Sequence, residues 1–259
     1  MRLKKPKGAD GRMLDSIVVF ADALGTKNHL RDPKTAVDFV SKIRASSDAA
    51  AKRLAVAERL FKMMSHRWFS DCFCLSVSFQ DQQGILEALK IAAQLQLEFL
   101  LNGVFLRGGV AVGLHYHSEH IDLGPALAEA AELEKVCKNP AIFLTQRLVD
   151  CLRHASSDLT DLVATCQGDG SCFLNFFPLL DPTARRTARE RITTAIELVT
   201  IGANQGVDDD ARKMVEGQRQ KYLWLADYFN YASGAATKLQ FSGGHQFCSF
   251  SCPRGADFE

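Results

Sequence analysis

Ser16-Ile-Val-Val-Phe20 is the segment that most narrows what this chain can fold into. A strand with one face in water alternates apolar and polar residues, whereas this run is apolar throughout after its serine. That is the pattern of a strand covered on both faces. Such a strand has to lie inside a sheet with layers packed above and below it. In Ala21-Asp22-Ala-Leu-Gly25 a carboxylate stands immediately past the apolar run, and a turn then leads toward a helix. Asp32-Pro33 starts that helix, with Pro33 at its first position and Val37, Val40 and Ile43 on one face.

The period changes from Trp68 to Phe79. Phe73, Leu75, Val77 and Phe79 point one way and Cys72, Cys74, Ser76 and Ser78 the other, with Asp71 at the head of the strand. Gln82 to Asn102 returns to helical spacing, with Leu86, Leu89, Ala93, Leu97 and Leu100 on one stripe and Asn102-Gly103 as the stop. Val104 to Leu114 is the next strand. One face carries Val104, Leu106, Val110 and Val112, and the other carries Arg107, Gly109, Ala111 and Gly113. A face kept that low leaves room for something other than side chains to lie on it. Gly124-Pro125 opens a helix to Val136, and strands follow at Ala141–Thr145 and Cys172–Phe177, the second after a Gln167–Ser171 turn. Asp181-Pro182 and Asp208–Asp210 start two long helices. The order predicts an α+β fold, a mixed or antiparallel sheet with helices packed on it and a helical C-terminal extension.

A chain of 259 residues with 47% hydrophobic and 24% charged residues has the usage of a globular protein with a sizeable core. A net charge of +1 gives no general attraction to nucleic acid or membrane, so an anionic ligand would need a local site. No run approaches the roughly 18 apolar residues that span a bilayer. The basic start, Met1 to Lys7, reads as part of a solvated arm over residues 1–13. Eight cysteines without zinc-site spacing are expected to be buried free thiols of a cytoplasmic protein.

Asp22 and Asp71 are the residues with the most chemistry in them. Carboxylates at the ends of neighbouring strands, among apolar residues, are costly unless paired or metal-bound. At about 4 Å and an effective dielectric of ~20 their repulsion is about 4 kcal/mol, and a divalent ion reverses its sign. Taken singly, each aspartate is more often a turn or cap residue. His115-Tyr-His117 puts two imidazoles on one strand face near His120, a spacing open to metal binding but common at exposed hairpin ends. Glu129, Glu132 and Glu134, followed by Lys135 and Lys138, have the spacing of a solvated helix face.

Four segments in order resemble the class III nucleotidyl cyclase family. They are Phe20-Ala-Asp22-Ala-Leu-Gly25, Phe69-Ser-Asp71-Cys-Phe73, Leu106-Arg-Gly-Gly-Val-Ala-Val-Gly113 and the helix Leu123-Gly-Pro-Ala-Leu-Ala-Glu-Ala-Ala-Glu-Leu-Glu134. The first two resemble that family's metal motifs, and the likeness covers roughly residues 16–178. The chain departs from the adenylyl and guanylyl cyclases at four positions. Ala128 and Glu132 replace their ribose-orienting Asn and phosphate-stabilising Arg, and Arg67 and Ile121 replace their purine-selecting pair. The variant resembles the pyrimidine cyclases of bacterial Pycsar anti-phage defence, as do Gly168-Asp-Gly170 and Lys221-Tyr-x-Trp-Leu-Ala.

The resemblance implies a cyclase domain over residues 14–180, with the helical extension 181–259 packed on it, acting as a homodimer. It implies conversion of UTP or CTP to the 3′,5′-cyclic nucleotide and pyrophosphate, a signal for a separate effector, without nucleic acid or membrane as partner. Two Mg²⁺ or Mn²⁺ ions would be held by Asp22, Asp71 and the Ala23 backbone. Amides at Ala23, Leu24 and Gly25 would form a phosphate nest, and Arg107 would stabilise charge on the transferring phosphate. The plain alternative for Arg107 is an ion pair with Glu119 or Asp122. Arg67 and Ile121 would face the base, although Arg67 reads equally well as a solvated arginine. A cyclase-fold nucleotide sensor and a purine cyclase remain open.

Overall fold

The computed structural model describes residues 13–54, 64–69, 71–118, 121–152, 161–203, 209–233 and 238–250. Most of the predicted basic arm, together with Ser70, Glu119, His120, Asp208 and Cys252, lies outside them.

The doubly covered strand is β1 (Leu14–Ala23). It pairs antiparallel with β3 (Cys72–Ser78) on one side and with β4 (Leu106–His117) on the other. β2 (Met64–Phe69) forms a hairpin with β3, so the single Trp68–Phe79 strand expected from sequence is in fact broken at Asp71. β6 (Ile142–Leu144) pairs with β4 and supplies the parallel pairing, and β8 (Cys172–Leu174), β7 (Val163–Cys166) and β9 (Phe247–Ser249) continue the sheet. The order is β2-β3-β1-β4-β6-β8-β7-β9, with the two-residue β5 (Asp122–Leu123) folded onto the end of β4. The fold is α+β with a mostly antiparallel sheet.

Alternation decides what covers each face. Ile17, Val19, Phe73, Leu75, Val77, Val110 and Val112 enter one core with helices α2 (Pro33–Leu54) and α3 (Gln82–Leu101). A short helix, α1 (Thr26–His29), precedes them. The α2 stripe differs from expectation: Phe39 and Ala50 are buried, while Val37 and Val40 are exposed. Val18, Cys74 and Ala111 face the other way and meet Ala126 and Ala130 of α4 (Pro125–Val136). The low face of β4 is the seat of that helix. A β-carbon added at Gly109 would come within 2.4 Å of the Ala130 carbonyl oxygen. The glycines therefore let a helix backbone approach closely, and the space read as room for a ligand is filled.

After α5 (Gln146–Leu152), which sequence did not anticipate, the C-terminal part adds α6 (Pro182–Ala203) and α7 (Asp209–Ser233). Asp181 Oδ1 caps α6 by accepting from the Ala184 amide. α7 is fastened to the sheet by edge-to-face aromatic packing: Phe173 meets Tyr228 at 4.7 Å, and Trp224 meets Phe247 at 5.1 Å between ring centroids. Buried Asp227 closes the same region, accepting from Ser242 Oγ, the Gly243 and His245 amides, and His245 Nδ1. Among the described residues no helix is long and apolar enough to cross a membrane, and each cysteine is a free thiol. Cys74, Cys137 and Cys166 are buried, whereas Cys151 is exposed.

Candidate functional site: two ends of one sheet

Register brings the predicted acidic residues together at one end. Asp22 lies opposite Cys72 on β3 and opposite Arg107 on β4, so it sits beside Asp71 across the hairpin. The Ala23 amide donates to the Asp71 carbonyl at 3.0 Å, tying the β1 turn to that hairpin. Arg107 grips Asp22 bidentately, Nε to Oδ1 at 3.0 Å and Nη2 to Oδ2 at 2.7 Å. Its Nη2 also donates to Glu134 Oε1 at 2.6 Å. Burial works against the Arg107 charge, but Asp22 and Glu134 outweigh it and raise its pKa.

Arg107 therefore pairs with the very carboxylate assigned to metal, and Asp122, one of its two alternative partners, is occupied elsewhere. Glu134 corrects a second expectation. The spacing predicts a place on a solvated acidic face, yet Glu134 is buried. The signal was present: Ala126, Ala130 and Glu134 recur every fourth residue on the stripe that meets the sheet. Burial and then the Asp22 charge raise the Glu134 pKa, with Arg107 opposing. Beside them the Cys72 thiol is pushed up to about 11, first by burial and then by Asp71, Asp22 and Glu134. That keeps it protonated and unreactive near neutral pH.

The predicted phosphate nest is mostly committed elsewhere. The Ala23 amide serves Asp71, and the Leu24 amide donates to the Phe105 carbonyl at 2.8 Å. Gly25, left-handed at φ 83°, is the remaining candidate of the three. The site also tests the expected metal. Asp71's carboxylate has no hydrogen bond or ion pair among the described residues, and Asp22, Asp71 and the Ala23 carbonyl are hard oxygen donors. That set fits Mg²⁺ or Mn²⁺. A cation reaching Asp22 competes with Arg107. No cluster of three or more His, Cys, Asp or Glu side chains occurs among the described residues, so a larger protein cage is not on offer there.

The base-facing candidates gather at the other end. Arg67 Nη2 donates to the Ser118 carbonyl at 2.8 Å, and its Nε meets Asp122 Oδ2 at 3.0 Å. Ser118 in turn accepts from the Ile121 amide through its Oγ, and half-exposed Ile121 closes the β4–β5 turn. Asp122 Oδ1 also accepts from His117 Nδ1 at 2.5 Å and His115 Nε2 at 3.3 Å. Burial opposes its ionisation, but the two imidazoles and Arg67 prevail and hold this carboxyl well below the usual range. The two histidines read as a possible metal pair are thus bound to a carboxylate. Ala128 and Glu132 lie exposed on the outer face of α4.

The chain matches no protein-family model and no curated protein. Among solved structures it is similar to the catalytic core of a rhodopsin-guanylyl cyclase with converted specificity, in complex with ATPalphaS. That similarity is 14% identity over 64% of this chain and 98% of the other, with a TM-score of 0.44. It is also similar to a class III adenylyl cyclase-like ATP-binding protein from Pseudomonas aeruginosa. There the identity is 13%, over 57% of this chain and 38% of the other, with a TM-score of 0.42.

Proposed function

We propose that this chain is a nucleotide cyclase that converts UTP or CTP to the 3′,5′-cyclic nucleotide and pyrophosphate. The observation that carries the reading is the meeting of two strand-end aspartates, Asp22 and Asp71, with Asp71 left without a partner among the described residues. A carboxylate held beside others and left unpaired is costly unless a cation joins it. The four cyclase-like segments of the sequence converge on that end of the sheet or on the helix against it.

In the reaction the ribose 3′-hydroxyl gives up its proton to solvent and its oxygen bonds to the α-phosphorus as the bond to the pyrophosphate oxygen breaks. Asp22, Asp71 and the Ala23 carbonyl would hold Mg²⁺ or Mn²⁺, which supplies a lowered 3′-hydroxyl pKa and charge neutralisation of the leaving phosphates. Arg107 keeps Asp22 oriented and carries positive charge to where negative charge grows. Glu134 fixes Arg107 from the helix side. Cys72, protonated, takes no part.

A homodimer belongs to the same proposal. From Arg107 to His117 is ten residues, roughly 30 Å of strand, so one triphosphate cannot touch the acidic end and the Arg67–Ile121 end of one chain. Two chains arranged head to tail would bring one chain's carboxylates to the other's Arg67. The proposed division is a cyclase domain over 14–180 carrying the 181–259 extension, and the proposed role is production of a second messenger in anti-phage defence, read by a separate effector.

A second reading, a nucleotide sensor without turnover, draws on exposed Ala128 and Glu132, which stand where cyclases place an Asn and an Arg. One experiment separates the readings. Purified protein is incubated with each of the four NTPs and Mn²⁺, and the product is identified by mass. Cyclic UMP or CMP is expected. Binding without product would favour the sensor, and cyclic AMP or GMP alone would return the chain to the purine cyclases.

A further inference from the structure

Two hollows adjoin along α7, and the first borders the turn just past Asp22. One, of about 400 Å³, opens between Leu24–Gly25, the α3–β4 connection and the facing sides of α6 and α7. The other, of about 440 Å³, lies between Lys138–Asn139 and the first half of α7. Gln218 and Lys221 line both.

The charged lining is of one sign. Lys42, Arg191 and Lys221 line the first hollow, Lys138 and Lys213 join Lys221 in the second, and neither lining includes an Asp or Glu. The chain carries 31 Lys and Arg against 30 Asp and Glu, so a balanced lining would be the neutral expectation. A concave, single-signed surface concentrates anions locally even on a protein of almost zero net charge.

Within this set the cations are not equivalent. Lys42 is paired with Asp38 at 2.7 Å, and Arg191 Nε donates to the Leu101 carbonyl at 3.1 Å. Half-buried Lys221 makes no side-chain hydrogen bond or ion pair among the described residues. Burial and then Arg107 lower its pKa while Asp22 opposes, so its ammonium lies within the field of the acidic site. A lysine ammonium offers three donors and no fixed plane, which suits terminal phosphate oxygens.

We propose that Lys221 binds the β- and γ-phosphates of the nucleoside triphosphate, with the one-signed hollow as the seat of the polyphosphate. Helix α7 thereby becomes part of the nucleotide site. This rests on the cyclase reading above, and it adds a residue from the helical extension, beyond the four segments that resemble the class III cyclases at large.

Calorimetric titration of the full chain with UTP, UMP and inorganic tripolyphosphate tests it, using Ca²⁺ as the divalent ion. Lys221→Gln should weaken UTP and tripolyphosphate by about tenfold or more and leave UMP unchanged. Lys221→Arg should restore most of the loss. Lys221→Met, which keeps the apolar stem, guards against a packing defect, with melting temperature followed for each variant. Unchanged UTP and tripolyphosphate affinity in folded Lys221→Gln and Lys221→Met would overturn the assignment while leaving the cyclase reading intact. Lys221-dependent tripolyphosphate binding without any nucleotide binding would keep the anion site and sink the cyclase reading. Absence of both kinds of binding in the wild type would overturn both.

Discussion

The two ends of the sheet treat buried charge in opposite ways. At the β4–β5 end one carboxylate, Asp122, is met by Arg67, His115 and His117, so its demand for partners is fulfilled inside the fold. At the turn end the proportion is reversed. Asp22 and Glu134 share one guanidinium, and Asp71 beside them has no partner among the described residues. A saturated network holds a structure together. An undersaturated one, with carboxylates in excess over cations, is where an outside cation lowers the energy. The same kinds of side chain therefore form a clamp at one end and, in the proposed reading, a site at the other.

The sharpest way to break this contrast is to remove the unpartnered carboxylate. Asp71→Ala should lower cyclisation by roughly a thousandfold, the loss expected when about 4 kcal/mol of charge stabilisation disappears. Stability should move by no more than about 0.5 kcal/mol, as for a side chain without internal bonds. Product assays beside urea melts measure both. An active Asp71→Ala, or one that unfolds, would remove the distinction drawn between the two ends.

The mirror experiment is Asp122→Ala, where the cost should fall on the fold. Three partners would be left without their carboxylate, and breaking a buried pair costs about 3–5 kcal/mol. The effect has a pH signature. The Asp122 carboxyl is depressed in the folded chain, so its stabilisation is present above the ordinary carboxylate pKa, about 4, and is lost as pH falls toward its own lower value. Melts at pH 7 and near pH 3 should then show the variant's deficit shrinking in acid. A deficit equal at both pH values would mean that the lost contribution is packing rather than charge.

The legible parts of this molecule were those set by local pattern. The β3 alternation and the bounds of α4, Pro125 to Val136, followed from period and from glycine–proline punctuation. Asp22 and Asp71 drew attention as carboxylates at the ends of neighbouring strands, one at the end of β1 and one just before β3. What escaped notice depends on partners distant in sequence. Glu134 looks like any surface glutamate until β4 is laid beneath its helix. β9 has three residues and no period of its own, and it exists because β7 offers an edge and Phe247 meets Trp224. The Val37 and Val40 stripe differs because α2 offers more than one apolar stripe, and the core under α3 takes that of Phe39, Ile43 and Ala50.

The smallest expected effect concerns the base, and it asks whether the saturated end is only a clamp. Ile121 offers no hydrogen bond where the resemblance expects a purine-reading partner, and an unmet buried polar group costs about 1–3 kcal/mol. UTP or CTP should therefore be preferred to ATP and GTP by at least about tenfold, which corresponds to ~1.4 kcal/mol. Arg67 is tied to Ser118 and Asp122, and that gives it two possible contributions: direct donation to a pyrimidine carbonyl, or fixing the turn that carries Ile121. Arg67→Ala separates them when turnover and stability are measured together. Direct reading predicts that the preference narrows toward unity at temperatures where the variant is fully folded. A pure clamp predicts lower stability with the tenfold preference kept. Equal turnover of ATP and UTP by the wild type would sink base selection at this end altogether, leaving the β4–β5 turn a structural feature and the acidic end the whole of the site.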